Sequence, residues 1–185
     1  MNSFPSPFFN RLRTFWSKIY NKQVYEILLG LAAHLTFPLL NVSCYFGPHF
    51  YMKQGNPGAI LFYRKYIFPI AEVYHGNIYL IFAITMVAFI VCARGTVRLT
   101  KFARQCIIQA ILLEIMCTCL GQIYAYFPPL IKNSYLGTLY VNLGYLGTVL
   151  LILYSCFFIA FGRLPFVPFL SEGARLNIER SYLDD

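Results

Sequence analysis

The chain has 185 residues, 58% of them hydrophobic and only 12% charged, with a formal net charge of +8. Soluble domains carry roughly one-quarter charged residues, and the polar sequence here is too scarce to wrap a soluble core of this size. The positive charge reads as topology and attraction to anionic lipid, and nucleic acid is not an expected partner.

Residues 1–23 form the first part. Phe8, Leu12, Phe15, Trp16 and Ile19 recur at helical spacing, while Arg11, Ser17, Lys18 and Lys22 fall largely on the other face. This pattern predicts an amphipathic helix lying in the membrane interface. No small-residue cleavage site follows, so a mature start at Met1 is expected in preference to a cleaved targeting peptide.

The second part, residues 24–161, holds four apolar runs that each approach or exceed the about 20 helical residues needed to cross a hydrocarbon core. They are read at about 24–47, 75–93, 106–126 and 135–161. In the first, His34 shares a face with Gly30 and Ala33. The link 48–74 follows, rich in Phe and Tyr, with Gly55, Pro57, Gly58 and Pro69 as breakers. Its segment "GAILFYRKYIF" is read as an interfacial or re-entrant helix, with its aromatics either anchoring at headgroups or docking a partner.

The link between the second and third runs carries Arg94, Arg98, Lys101 and Arg104. All 15 Lys and Arg residues except Lys53, Arg64, Lys65 and Lys132 fall on the side of both termini. The positive-inside rule therefore places both termini on the cytoplasmic or equivalent side, with Arg11, Arg13, Arg98, Lys101 and Arg104 as headgroup or topology residues.

On the third run Ala103, Ala110, Glu114, Cys117 and Gly121 lie on one stripe of a helix. Gly137, Gly144, Thr148 and Ser155 do the same on the fourth. Small residues let helix backbones approach where lipid supplies no hydrophobic drive, so both stripes are expected to be packing seams. Leu112, off the stripe, is expected to face lipid.

A carboxylate facing lipid near mid-membrane costs at least about 2.5 kcal/mol, so Glu114 must face protein or a wet cavity, protonated or paired. His34, about 15 Å from the basic side against about 12 Å for Glu114, is the expected contact. Gln109 points elsewhere on the helix, toward Lys101 and Gln105. It is read as a polar-cavity or partner contact, or as part of a helix entry near the headgroups.

Residues 162–185 complete the chain as a polar tail. The expected fold is all-α, an integral membrane four-helix bundle with an N-terminal interfacial amphipathic helix. The six cysteines show no CxxC pairing and the three histidines no metal-binding spacing, so neither a metal nor a cofactor is expected.

"FARQCIIQAILLEI", Phe102 to Ile115, resembles the signature of the twenty-kilodalton subunit family of the translocon at the inner chloroplast envelope membrane. That family shows Phe, an aliphatic residue, Arg, Phe, Asn, two variable positions and Gln-Ala-Ile-Leu-Leu-Asp-Ile. Phe102, Arg104, Gln109, Ala110, Ile111, Leu112, Leu113 and Ile115 match. Gln105 and Cys106 depart from it, and Glu114 keeps the carboxylate of the usual Asp. "FPLLNVSCYFG" and "LPFVPFLSEGARLNI" resemble the end of the family's first span and its tail.

The resemblance implies a plastid-encoded or cyanobacterial-type subunit of the import machinery, multi-pass in the inner envelope with both termini on the stromal side. The implied partners are the lipid bilayer, other inner-envelope translocon subunits and transiting preproteins. A small-molecule or proton-coupled transporter using Glu114 is the alternative. An enzyme is not expected, because the spans hold no acid pair, no His-Glu-x-x-His and no nucleophile elbow.

Overall fold

The computed structural model describes the backbone of residues 7–53, 56–96 and 99–180, and side chains from Gln23 to Glu179 within those ranges. Every regular element among the described residues is helical. Helix α1 (Pro7–Tyr45) is one unbroken element of 39 residues, about 58 Å long at the α-helical rise. From Pro7 onward the expected interfacial segment is thus continuous with the first span. From Phe8 to Leu29 the chain has neither Gly nor Pro, so nothing breaks the helix where the span begins. The side chains of Arg11 and Arg13 lie outside the described residues.

Helix α2 (Gly47–Lys53) follows α1 after the turn residue Phe46, whose carbonyl accepts from the Phe50 N–H at 2.8 Å. Helices α3 (Pro57–Phe62) and α4 (Phe68–Gly76) are joined by a π-helical turn over Tyr63–Ile67. Pro69 explains that turn: it has no N–H for the Lys65 carbonyl, and the wider turn accommodates its ring. The Phe68 N–H donates five residues back to Tyr63 instead.

At Asn77 the chain bends by 79° into α5 (Ile78–Arg94). The second span, expected over 75–93, is therefore a 17-residue helix entered from a sharp corner. Helices α6 (Lys101–Ala125) and α8 (Tyr135–Ala160) follow, joined through the single turn α7 (Pro129–Lys132). Among the described residues three helices are long and apolar enough to cross a membrane, or four if the bent pair is one span. The chain is an all-α membrane helix bundle.

Close approaches set the registers. A Cβ on Gly30 of α1 would lie 3.2 Å from both Cys106 of α6 and Ile159 of α8. Farther along α1, Tyr45 lies over Gly121 and Phe46 against Gly144. Helices α1 and α6 thus run parallel, and α8 runs antiparallel to both. Gly30 lets three backbones meet, the role expected of small residues in lipid.

On α6, Ala103, Ala110, Cys117 and Gly121 are all buried, and Cys117 Sγ lies 3.5 Å from Thr148 Oγ1 of α8. Gly137 is corrected as a seam residue. A Cβ there would run into the Ile131 and Lys132 carbonyl oxygens, so its smallness serves the turn before α8 and not a contact between spans.

The polar tail is also corrected. Gly162, left-handed at φ +68°, ends α8 with the Arg163 N–H donating to the Phe158 carbonyl at 3.0 Å. Helix α9 (Leu170–Arg180) then returns to the bundle. Its Ala174 and Ile178, four residues apart, are fully buried with Ile107, Ile108 and Ile111 of α6. Leu112, expected on the lipid face, lies beneath Gly173 of this helix.

Candidate functional site

Three polar side chains of α6 are buried, and each is held by a different part of the chain. Arg104 donates from Nε to the Cys92 carbonyl at 2.6 Å and from Nη2 to that of Ala93 at 2.7 Å. Those carbonyls end α5, where the last turn has acceptors without helical partners and a cation is favoured. Arg104 is therefore corrected from a headgroup residue to a buried cap. Lys101 is exposed, and Arg98 lies outside the described residues.

Gln109 donates to the Pro165 carbonyl at 3.3 Å and to Ser171 Oγ at 3.2 Å. Ser171 in turn donates to Pro165 and accepts from the Val167 N–H. The turn that folds α9 back thus rests on Gln109. Its contact is with the chain's own tail, not with the headgroups.

Glu114 accepts from the Tyr74 hydroxyl at 2.6 Å through Oε1. Tyr74 comes from α4, brought to the bundle by the corner at Asn77. Asn41 of α1 donates to Thr118 Oγ1 at 2.7 Å and to the Tyr74 oxygen at 3.4 Å. Thr118 donates to the backbone carbonyl of Glu114 at 3.0 Å. Thr85 of α5 faces the same space as the carboxylate, and its Oγ1 has no hydrogen-bond partner among the described residues.

The expected contact between His34 and Glu114 is absent. With Gly30 against Cys106 and Tyr45 against Gly121, His34 is level with Ala110, one turn short of Glu114. Measuring depth from Cys106 put Glu114 too near the basic end, because the helix begins at Lys101. His34 is instead bonded to its own helix, Nδ1 donating to the Gly30 carbonyl at 3.0 Å.

Asn41, Tyr74, Thr85, Glu114 and Thr118 line a cleft of about 240 Å³ between α5 and α6. Ile78, Ile81, Phe82, Met86 and Ile115 supply its apolar walls. Sequence reasoning does not single out Asn41 or Thr85, and it reads Tyr74 only as one of the aromatics of the 48–74 link, anchoring at headgroups or docking a partner. Asn41 lies two turns beyond His34 on one stripe, and Thr85 is the lone Ser, Thr, Asn or Gln of α5. Those are the signals that point to them. Among the described residues no group of three His, Cys, Asp or Glu side chains is placed to hold a metal ion.

A second buried acid, Glu26 of α1, accepts from Thr100 Oγ1 at 2.7 Å. Thr100 caps α6 by accepting from the Ala103 N–H. A carboxylate at a helix N-terminus complements its dipole. This pair ties the first span to the start of α6.

No family model matches the chain, and no curated protein matches it.

Proposed function

We propose that the chain is a membrane subunit of the protein import translocon of the inner chloroplast envelope, with both termini on the stromal side, scaffolding the preprotein path beside partner subunits. The observation that supports this reading best is the use made of Arg104, Gln109 and Glu114. These are the buried polar positions of the stretch that carries the resemblance, and they tie α6 to α5, to the α9 turn and to α4. A motif committed to internal ties suits a compact scaffold, and the role in this reading is non-catalytic.

The packing where α1, α6 and α8 meet is filled by Gly30, Cys106 and Ile159. A polypeptide conduit needs polar faces around an open path. In this reading the preprotein therefore passes along the outside of the bundle, between it and its neighbours. The outer side of Pro57–Gly76 offers a mixed face, with Arg64, Lys65 and Glu72 exposed beside Leu61, Phe62 and Tyr66.

A photo-reactive residue placed at Phe62, and at exposed Leu150 of α8 as a control, tests this in plastids holding a preprotein arrested midway through import. Position 62 should give adducts to the preprotein or to resident inner-envelope proteins, and position 150 only to lipid. Identical adducts from both positions, or absence of the chain from inner-envelope fractions, would overturn the reading.

A further inference from the structure

The Glu114 cleft contains three polar atoms without a hydrogen-bond partner among the described residues: Glu114 Oε2, Asn41 Oδ1 and Thr85 Oγ1. Their residues are only 5, 3 and 2% exposed, respectively. Buried polar groups are nearly always paired, so one orphan calls for an explanation and three on one cleft point to a ligand. All three can accept a hydrogen bond. Two are also held in place by their neighbouring atoms, since Tyr74 donates to Glu114 Oε1 and Asn41 Nδ2 donates to Thr118.

We propose that this cleft binds a lipid-soluble primary amine. An ammonium group has three N–H donors, one each for Glu114 Oε2, Asn41 Oδ1 and Thr85 Oγ1. Its charge opposite the carboxylate leaves the pair neutral, which is what an apolar setting requires of buried charges. The amine's apolar body lies along Ile78, Ile81, Phe82 and Met86. A cleft of about 240 Å³, set against the about 150 Å³ cavity that takes benzene, holds a body of about ten heavy atoms. Exposed Phe82 and Cys119 flank the cleft, so the ligand enters sideways from lipid. The proposal is independent of the import reading.

The test uses the full chain in phosphatidylcholine nanodiscs with 4-phenylbutylamine as the probe. Alkylation of Cys119 by N-ethylmaleimide is followed by peptide mass spectrometry, with half-buried Cys156 on α8 as the internal control. The amine should slow alkylation of Cys119 several-fold and leave Cys156 unchanged, whereas n-butylbenzene, the same body without donors, should do neither. Thr85→Val removes an unpartnered hydroxyl at nearly constant shape, and it should raise the amine concentration needed about tenfold, the effect of one lost hydrogen bond. Glu114→Gln should abolish protection, and if that variant fails to fold Thr85→Val carries the test. Equal protection by n-butylbenzene, no protection by the amine, or full protection in Thr85→Val would overturn the proposal.

Discussion

The Nε of Arg104 lies 2.6 Å from the carbonyl oxygen of Cys92, so a side chain from α6 caps the C-terminus of α5. Gly95 makes this possible. It is left-handed at φ +67°, and a Cβ there would lie 2.8 Å from Nη1 of the guanidinium. Hydrogen bonds to a charged donor contribute about 1.5–3 kcal/mol each. Arg104→Gln should therefore destabilise the bundle by at least about 2 kcal/mol. Arg104→Lys should fall between the two, because an ammonium cannot reproduce the planar fork. Reversible unfolding in mixed micelles measures both, and a neutral Arg104→Gln would rule out the capping role.

Arg104 also marks where sequence reading stopped. Counting basic residues outside an apolar run treats each as a headgroup ligand, and by composition the run opens only at Cys106. The helix starts at Lys101, and α5 is antiparallel beside it, so Arg104 falls within the bundle. What was legible was local: the stripe Ala103, Ala110, Cys117 and Gly121 is set by helical period alone, and all four are buried. Register between helices is not local. It depends on which residues touch across the seam, and that is why His34 was assigned to Glu114 while Asn41 and Tyr74 were missed. Leu170, Ala174 and Ile178 of α9 fall on one stripe, but Glu172 and Arg175 between them give the segment the composition of a polar tail.

Gly121 lies against Tyr45 where the first and third spans meet. A Cβ there would lie 2.5 Å from Cγ of the Tyr45 ring, which Gln122 also holds by donating to the Tyr45 oxygen at 3.2 Å. Overpacking of this kind costs about 1–3 kcal/mol. Gly121→Ala should lose about that much stability, and most of the loss should disappear in a Tyr45→Leu background. An equal loss in both backgrounds would mean that the cost lies elsewhere than in this contact.

His49 lies outside the spans, in α2, with its ring edge-on to Tyr124 at 5.0 Å between centroids. Partial burial, then the charges of Lys53 and Lys132, lower its pKa below the ordinary imidazole value of 6.5. The folded state thus disfavours the protonated ring more than the unfolded state does. The stability this contributes is complete above the unfolded pKa and is lost as pH falls through the lower folded value. NMR titration of the ring should give a midpoint below 6.5 that rises in Lys132→Gln. A midpoint at or above 6.5 in the parent chain would contradict the sign.

Tyr74 is the link between the bent segment and the buried acid. Its hydroxyl is donated to Glu114 Oε1 at 2.6 Å, while Ala71, one turn earlier on α4, accepts from Cys44 Sγ at 3.3 Å. Tyr74→Phe should leave Glu114 Oε1 unpaired in an apolar setting, a loss of about 1–3 kcal/mol. Amide exchange in α4 should quicken with it, since that segment loses a principal tie to α6. A double-mutant cycle with Glu114→Gln isolates the bond from other effects of either change. A coupling of at least about 1 kcal/mol means that the corner at Asn77 is held by this pair. No coupling, with α4 still protected from exchange, would assign the hold to the apolar packing of Ala71 and Tyr63 instead.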